Sequence, residues 1–401
     1  FDVEIFRKLI EQLTRAHPIV RAPIRRRFGL GPPVYRIDAA ARCEPPPIRV
    51  HEAPAPDAGL PRSFSERLNE SHSLRRGELL RFDVVRYAGG AAGTDLAASW
   101  AHLLFDGAGS ERFVRWLHDC FRGACEPATL PRPDELAPAH REGPGMRERG
   151  DRARAWQRWL HQMGDPPMRS LAGPLRRARQ ALRYDVHTFT SGETERVVES
   201  ARRRAGFLTP MLFYLAAAIR AHRAVFQARG VDPGSFVVPL PVNLRPKGAE
   251  GAIFRTHTSL LWFHVLRERA ECLDALLSDL KQQRLAAIKA GHVENGRYAM
   301  DFARFAPARL YSRRARAALR GELCSFFFAY TGEFLDGLQH FLGCEIRNGF
   351  HVAPVPPSPG SCVAMSLYGD RLNVTHVYQE GVLSDRERDV FRAQLRADLL
   401  A

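Results

Sequence analysis

Strand-like and helix-like stretches alternate through both halves of the 401-residue chain, and the pattern restarts near residue 180. This predicts an α/β or α+β protein of two subdomains, 1–180 and 181–401. The length agrees, since such a chain can bury one large core or two of about 200 residues each. So does the composition: 45% hydrophobic and 26% charged residues describe an ordinary globular protein.

In the first half, Ile5, Phe6, Leu9, Ile10 and Leu13 recur at helical spacing after Asp2, a good N-cap, and Pro18 sets the limit of that helix. The stretch from Pro45 to Pro61 is rich in Pro and Ala and reads as an extended connection. Two strands follow, Leu79–Tyr87 and Asp95–Leu104, with Gly89, Gly90 and Gly93 between them as in a hairpin. Ser110 then caps a helix whose apolar face carries Phe113, Trp116, Leu117, Cys120 and Phe121. Residues 122–180 are polar and broken by Pro and Gly, with one helix near Ala155–Met163, and read as a link between halves.

The second half opens with a strand at Tyr184–Phe189, and Thr190 with Glu193 forms a capping box for a helix to about Arg204. Thr209-Pro210 starts the next helix, which carries Leu212, Phe213, Leu215 and Ile219. Strands are expected at Phe236–Val242, Thr258–Val265 and Cys324–Tyr330, and helices at Ala270–Lys289 and Pro307–Arg320. Strands Cys362–Leu367 and Leu372–Tyr378 flank Gly369-Asp370, a two-residue hairpin signal. Ser384 and Glu387 cap the last helix.

Composition removes several function classes. No apolar run approaches the roughly 20 residues needed to cross a bilayer; even Phe207–Ile219 contains a Thr-Pro pair and ends at Arg220. The seven cysteines, Cys43, Cys120, Cys125, Cys272, Cys324, Cys344 and Cys362, form no Cys-x-x-Cys pair, and no His stands at zinc-ligand spacing. Neither a disulfide framework nor a metal site is expected, and a reducing cytoplasm is the default location. The chain begins at Phe1 rather than Met, so a preceding segment with room for a targeting sequence is expected. The net charge of +15 comes mainly from arginine, clustered at Arg25–Arg27, Arg202–Arg204 and Arg313, Arg314 and Arg316. Without a groove-reading helix or interleaved aromatics, nucleic acid is not an expected partner. The excess suits a solvated surface or an acidic thioester donor.

The chemistry centres on His102-Leu103-Leu104-Phe105-Asp106-Gly107. A histidine at a strand exit can take a proton at neutral pH. An aspartate four residues on can fix the loop that orients the ring, and Gly107 allows a sharp turn and close approach. A His-x-x-x-Asp-Gly string arises by chance in about one such chain in twenty, so a structural histidine beside an N-capping aspartate stays an open alternative. Three further strings weigh against that alternative: Arg15-Ala16-His17-Pro18-Ile19-Val20-Arg21, Pro241-Val242-Asn243-Leu244-Arg245-Pro246 and Ser325-Phe326-Phe327-Phe328-Ala329-Tyr330-Thr331-Gly332.

With these four landmarks in order, the sequence resembles the superfamily of chloramphenicol acetyltransferases, nonribosomal peptide condensation domains and bacterial wax-ester synthases. Departures exist. Ala101 stands where condensation domains carry a second histidine, their N-terminal motif is absent, and the plant branch's Asp-Phe-Gly-Trp-Gly string is not found. A bacterial O- or N-acyltransferase is the best placement.

The resemblance implies two acetyltransferase-like subdomains, each a mixed sheet flanked by helices, with an active-site tunnel between them. It makes His102 the general base and Asp106 a structural partner of an arginine, Arg245 in preference to Arg21. Asn243, Ser325, Tyr330 and Thr331 become polar tunnel residues. Trp100, two residues before His102 on its strand, is expected to share its face and line the tunnel, with a core tryptophan as the alternative. The Gly107 amide and the Ser325 and Tyr330 hydroxyls are candidate oxyanion donors. No metal and no bound cofactor are expected. The co-substrate is acyl-CoA or a phosphopantetheine thioester, with an acyl carrier protein as an alternative partner. The acceptor is a small molecule or lipid, and the protein is expected to be a monomer. The basic helix with Arg313, Arg314, Arg316 and Arg320 reads as a solvated face, or as a peripheral membrane contact if the acceptor is a lipid. Two rivals remain: a carrier-binding relative without catalysis, and a basic binder of membrane or nucleic-acid surfaces.

Overall fold

A computed structural model describes residues 1–26, 31–37, 44–57, 59–88, 93–129, 144–173, 180–245, 253–356 and 358–401. Gly89 and Gly90 of the expected hairpin loop, Arg27, Cys43, Pro246 and much of the 122–180 link lie outside the described residues. The chain runs through helix α1 (Val3–Ala16), strands β1 (Ile24–Arg26), β2 (Pro33–Tyr35) and β3 (Ile48–Ala53), and helix α2 (Arg62–Asn69). Strands β4 (Leu80–Tyr87) and β5 (Thr94–Trp100) lead to helices α3 (Gly107–Phe121) and α4 (Met146–Gln162). Then come β6 (Leu182–Thr188), α5 (Ser191–Ala205), α6 (Pro210–Ala228), β7 (Ser235–Asn243), β8 (Thr258–Leu266) and α7 (Leu273–Lys289). Helices α8 (His292–Ala303) and α9 (Ala308–Ala317) precede β9 (Phe327–Glu333), β10 (His340–Phe341) and β11 (Cys344–Glu345). The hairpin β12 (Ser361–Tyr368) and β13 (Arg371–Gln379) and helix α10 (Asp385–Leu400) close the chain.

Contacts divide the chain into two compact units. The first comprises residues 1–143, 243–258 and 334–349, and the second 144–242, 259–333 and 350–401. The units therefore change over at 143–144 rather than at the expected 180, because α4 packs on α8 of the second unit. Their contact is close: a Cβ on Gly296 of α8 would sit 3.0 Å from the Trp156 indole nitrogen of α4.

Each unit carries a mixed sheet. In the first, β4 pairs antiparallel with β5 and parallel with β3. The stretch expected as an extended connection thus contains a strand, at a sheet edge with one neighbour, and its exposed Arg49, Val50 and Glu52 explain why no burial signal marked it. Asp2 caps α1 as expected, accepting from the Glu4 and Ile5 amides at 2.8 and 3.1 Å. The buried face of α1, with Phe6, Leu9, Ile10 and Leu13, joins Phe82, Phe105, Phe113 and Phe254 in one core.

In the second unit the sheet order is β6-β13-β12-β9, with β9 parallel to β12 and the other pairs antiparallel. The hairpin turns at Gly369-Asp370 as expected, with Gly369 at φ +56°. Helix α6 is buried along most of its length, and α5, α7 and α10 pack around it. Both capping boxes form, Thr190 with Glu193 and Ser384 with Glu387. Helix α4 begins well before the expected Ala155. Its outer part is held by charge pairs such as Arg152 to Glu148 at 2.7 Å rather than by apolar periodicity. The carboxy-terminal part of the expected strand Cys324–Tyr330 is found, displaced to Phe327–Glu333. Among the described residues no helix is long and apolar enough to cross a membrane.

Candidate active site

The site grows from the end of β5. The strand stops at Trp100, and residues 102–104 form a turn. Trp100 and His102 therefore do not share a strand face, since the two-residue alternation ends where the strand does. Trp100 instead spans the turn: its indole nitrogen donates to the Phe105 carbonyl at 3.0 Å, and its ring packs on Phe105 at 5.1 Å.

Each carbonyl of the turn is held. The Thr256 hydroxyl donates to the His102 carbonyl at 2.8 Å, and the Arg255 amide to that of Leu104 at 2.6 Å. The Leu103 carbonyl accepts from the Tyr35 hydroxyl, whose pKa burial pushes up to about 12, keeping it a neutral donor. Arg255 adopts φ 72°, a left-handed conformation unusual for a residue with a side chain. The backbone of the motif is thereby fixed, whereas the His102 imidazole is exposed and has no hydrogen-bond partner among the described residues. Rigid backbone below and free ring above is what a proton acceptor needs.

Asp106 closes the turn and opens α3. Its carboxylate accepts from the Gly109 amide at 2.9 Å, making Asp106, not the expected Ser110, the N-cap. Ser110 lies inside the helix and its hydroxyl donates to the Gly107 carbonyl at 2.7 Å. The other carboxylate oxygen accepts from the His257 amide at 2.8 Å and the Thr258 hydroxyl at 2.9 Å. The Arg245 guanidinium completes the set, with Nη2 2.8 Å and Nη1 3.0 Å from the two oxygens. Both partners are buried, at 4% and 9% exposure. Burial alone would raise the Asp106 pKa, but Arg245 and the His257 and Gly109 amides outweigh it and hold the carboxyl below its ordinary range. Asn243 orients the arginine, accepting from its Nη1 at 3.2 Å and its amide at 3.1 Å. Arg21 is not the partner: its Nε donates to the Glu44 carbonyl at 3.0 Å.

Two site residues were not legible beforehand. Gly109 carries the close approach assigned above to Gly107, since a Cβ there would lie 2.4 Å from the Ile253 carbonyl oxygen and 2.9 Å from the Phe105 Cβ. Gly107 is the first residue of α3 and adopts no left-handed φ. The Gly-Ala-Gly spacing was the available signal. His257 is the second: half-buried, its Nε2 donates to the Phe254 carbonyl at 3.0 Å, leaving Nδ1 as acceptor. Burial first, and then Arg245, hold it neutral at pH 7. His17, by contrast, is a core residue between Trp116 and Phe254, bonded to the Pro127 carbonyl at 2.7 Å.

Solved structures share this architecture. The first condensation domain of the calcium-dependent antibiotic synthetase, in complex with a substrate analogue, matches with a TM-score of 0.69 at 14% identity, covering 100% of this chain and 88% of that one. The chain has the condensation-domain fold. The TRI3 trichothecene 15-O-acetyltransferase of Fusarium sporotrichioides matches at 0.65 and 12% identity, over 99% of this chain and 85% of the other. The epimerization domain of the third module of tyrocidine synthetase B matches at 0.58 and 16%, over 100% and 89%. No protein-family model and no curated protein matches the sequence. At these identities the likeness concerns the fold, and these neighbours put it to different chemistry, so function must be argued from the site.

Within the condensation-domain fold, Ser325, Tyr330 and Thr331 belong to the second unit, whereas Trp100, His102, Asp106, Gly107, Asn243 and Arg245 belong to the first. Ser325 is 2% exposed and its hydroxyl is committed, accepting from the Val237 amide at 3.0 Å and facing the Met168 sulfur at 3.5 Å. It is a fastening of β7, not a free donor. Tyr330 stacks on Tyr214 at 4.7 Å, and burial raises its pKa. The Thr331 hydroxyl is buried without a partner among the described residues. No His, Cys, Asp and Glu group among the described residues could hold a metal ion.

Proposed function

We propose that the chain is an acyltransferase that moves an acyl group from a thioester to a hydroxyl or amine, with His102 as general base. The observation that carries this is an exposed, unpartnered imidazole on a turn whose every carbonyl is tied down and whose end is locked by the Asp106–Arg245 pair. The names of the structural neighbours support it, since they include condensation domains and an O-acetyltransferase.

In the proposed reaction the imidazole takes the proton of the acceptor O–H or N–H as that atom attacks the thioester carbonyl carbon. The tetrahedral oxyanion collapses, the C–S bond breaks, and the imidazolium returns its proton to the departing thiolate. No acyl-enzyme forms. Asp106 stays ionised and touches neither reactant; it positions the ring through the backbone. The donor is acyl-CoA or a carrier-borne phosphopantetheine thioester, and the acceptor a small molecule or lipid. Incubating the chain with a panel of acyl thioesters and acceptors, with release of free thiol and product mass as readouts, tests the assignment. Transfer by the wild type and none by a folded His102→Ala variant is the expected result; equal transfer by both overturns it.

A further inference from the structure

Arginines in this chain are commonly matched by acids: Arg204 with Asp274 at 2.8 Å, Arg220 with Asp398 at 2.9 Å, and Arg229 with Glu387 at 2.6 Å. Helix α9 breaks this rule. Residues 302–320 contain Arg304, Arg309, Arg313, Arg314, Arg316 and Arg320 and no Asp or Glu. Arg304 and Arg320 reach acids outside the segment, Asp301 and Asp165. The four arginines of α9 itself have no acidic partner among the described residues. Arg309, Arg313 and Arg316 follow at four- and three-residue steps, so like charges stack on one helix face, an arrangement that is unfavourable unless an anion lies against it. With Ser312, Ala317 and Gly321 they line an open cleft of about 650 Å³. The Arg316 Nε is buried there without a hydrogen-bond partner, a cost that an acceptor oxygen would remove.

The same segment exposes large apolar side chains. Phe302, Phe305, Leu310 and Tyr311 are 38%, 53%, 49% and 44% exposed. A soluble phosphate would satisfy the arginines and leave these four unexplained. An acidic bilayer presents phosphate oxygens and an apolar layer within a few ångströms of each other, and arginine is suited to the first by its fork of donors.

We propose that the segment 302–320 docks on an anionic phospholipid surface, with Arg309, Arg313 and Arg316 taking headgroup phosphates and Phe305 and Leu310 entering the interface. The test is sedimentation of the full chain with vesicles of phosphatidylcholine alone or mixed with phosphatidylglycerol, with melting curves to verify folding. Binding to the mixed vesicles only, weakened by salt, is expected. Arg309→Glu, Arg313→Glu and Arg316→Glu together should weaken it by about a hundredfold or more, and Phe305→Ser with Leu310→Ser by about tenfold or more. Failure of the folded wild type to bind, or binding unchanged by the arginine substitutions, overturns the proposal. So does binding that the apolar substitutions leave intact and that inorganic pyrophosphate abolishes, which would make the cleft a site for soluble phosphates.

Discussion

Arg245 and Asp106, 139 positions apart in sequence, meet at 2.8 Å in a nearly dry pocket where the carboxylate also gathers two backbone amides and a hydroxyl. The pair thus fastens the β7–β8 connection to the first turn of α3, directly below the turn that presents His102. Its worth lies in what happens when one partner is removed, because the other is then left charged and buried.

Asp106→Asn should therefore cost about 3–5 kcal/mol of stability and reduce transfer, by leaving Arg245 unpaired. Urea unfolding measures the first and thiol release the second. Full activity with an unchanged midpoint would show that the ion pair has no such role.

The same pair sets an acid limit. Because the folded Asp106 pKa lies below its unfolded value, near 3.9, the stabilisation is complete at neutral pH and fades as the pH falls through the carboxylate range. Asp106→Asn should flatten the stability profile below about pH 4.

Gly109→Ala places a methyl against a backbone oxygen and Phe105, neither of which can swing away. About 1–3 kcal/mol of destabilisation is expected, with a lowered kcat from displacement of the turn.

Thr256→Val removes the donor to the His102 carbonyl while leaving the imidazole itself unchanged. Such a bond is worth about 0.5–1.5 kcal/mol, so kcat should fall up to about tenfold with KM unchanged. A rise in KM alone would place Thr256 in binding rather than in positioning.

A second pH effect resides in the second unit. The Ser361 hydroxyl lies 3.3 Å from His222 Nε2 and 3.0 Å from His376 Nε2, all three buried. His222 donates from Nδ1 to the Ala218 carbonyl at 2.8 Å, so its Nε2 accepts from Ser361, which in turn accepts from His376. Burial lowers the His222 pKa to about 3 and that of His376 well below normal, the latter with help from His222 and Arg388. Unfolding frees both to bind protons below their unfolded value of about 6.5, so stability should drop as the pH falls from there, by about 1.4 kcal/mol per unit per residue. His376→Gln should lower the slope between pH 4 and 6 by about one proton.

What the sequence determined by itself was local and periodic. Asp2, Thr190 and Ser384 cap helices as read, and the Gly369-Asp370 turn joins the two strands expected of it. These features depend on residues within four positions of one another, so a sequence displays them directly. The motif and the candidate counterpart Arg245 were legible for a different reason, likeness to known strings. Tertiary structure alone decided that Arg245 rather than Arg21 reaches Asp106, that Asp106 caps α3 ahead of Ser110, and that Gly109 makes the tight contact. It also buried Ser325 against β7, and it revealed β3 and α8, one an exposed edge and the other a helix carrying a glycine against Trp156. Each of these depends on which surfaces meet across long stretches of chain. A carboxylate takes whichever cation folding brings to it, and no spacing along the chain records that choice.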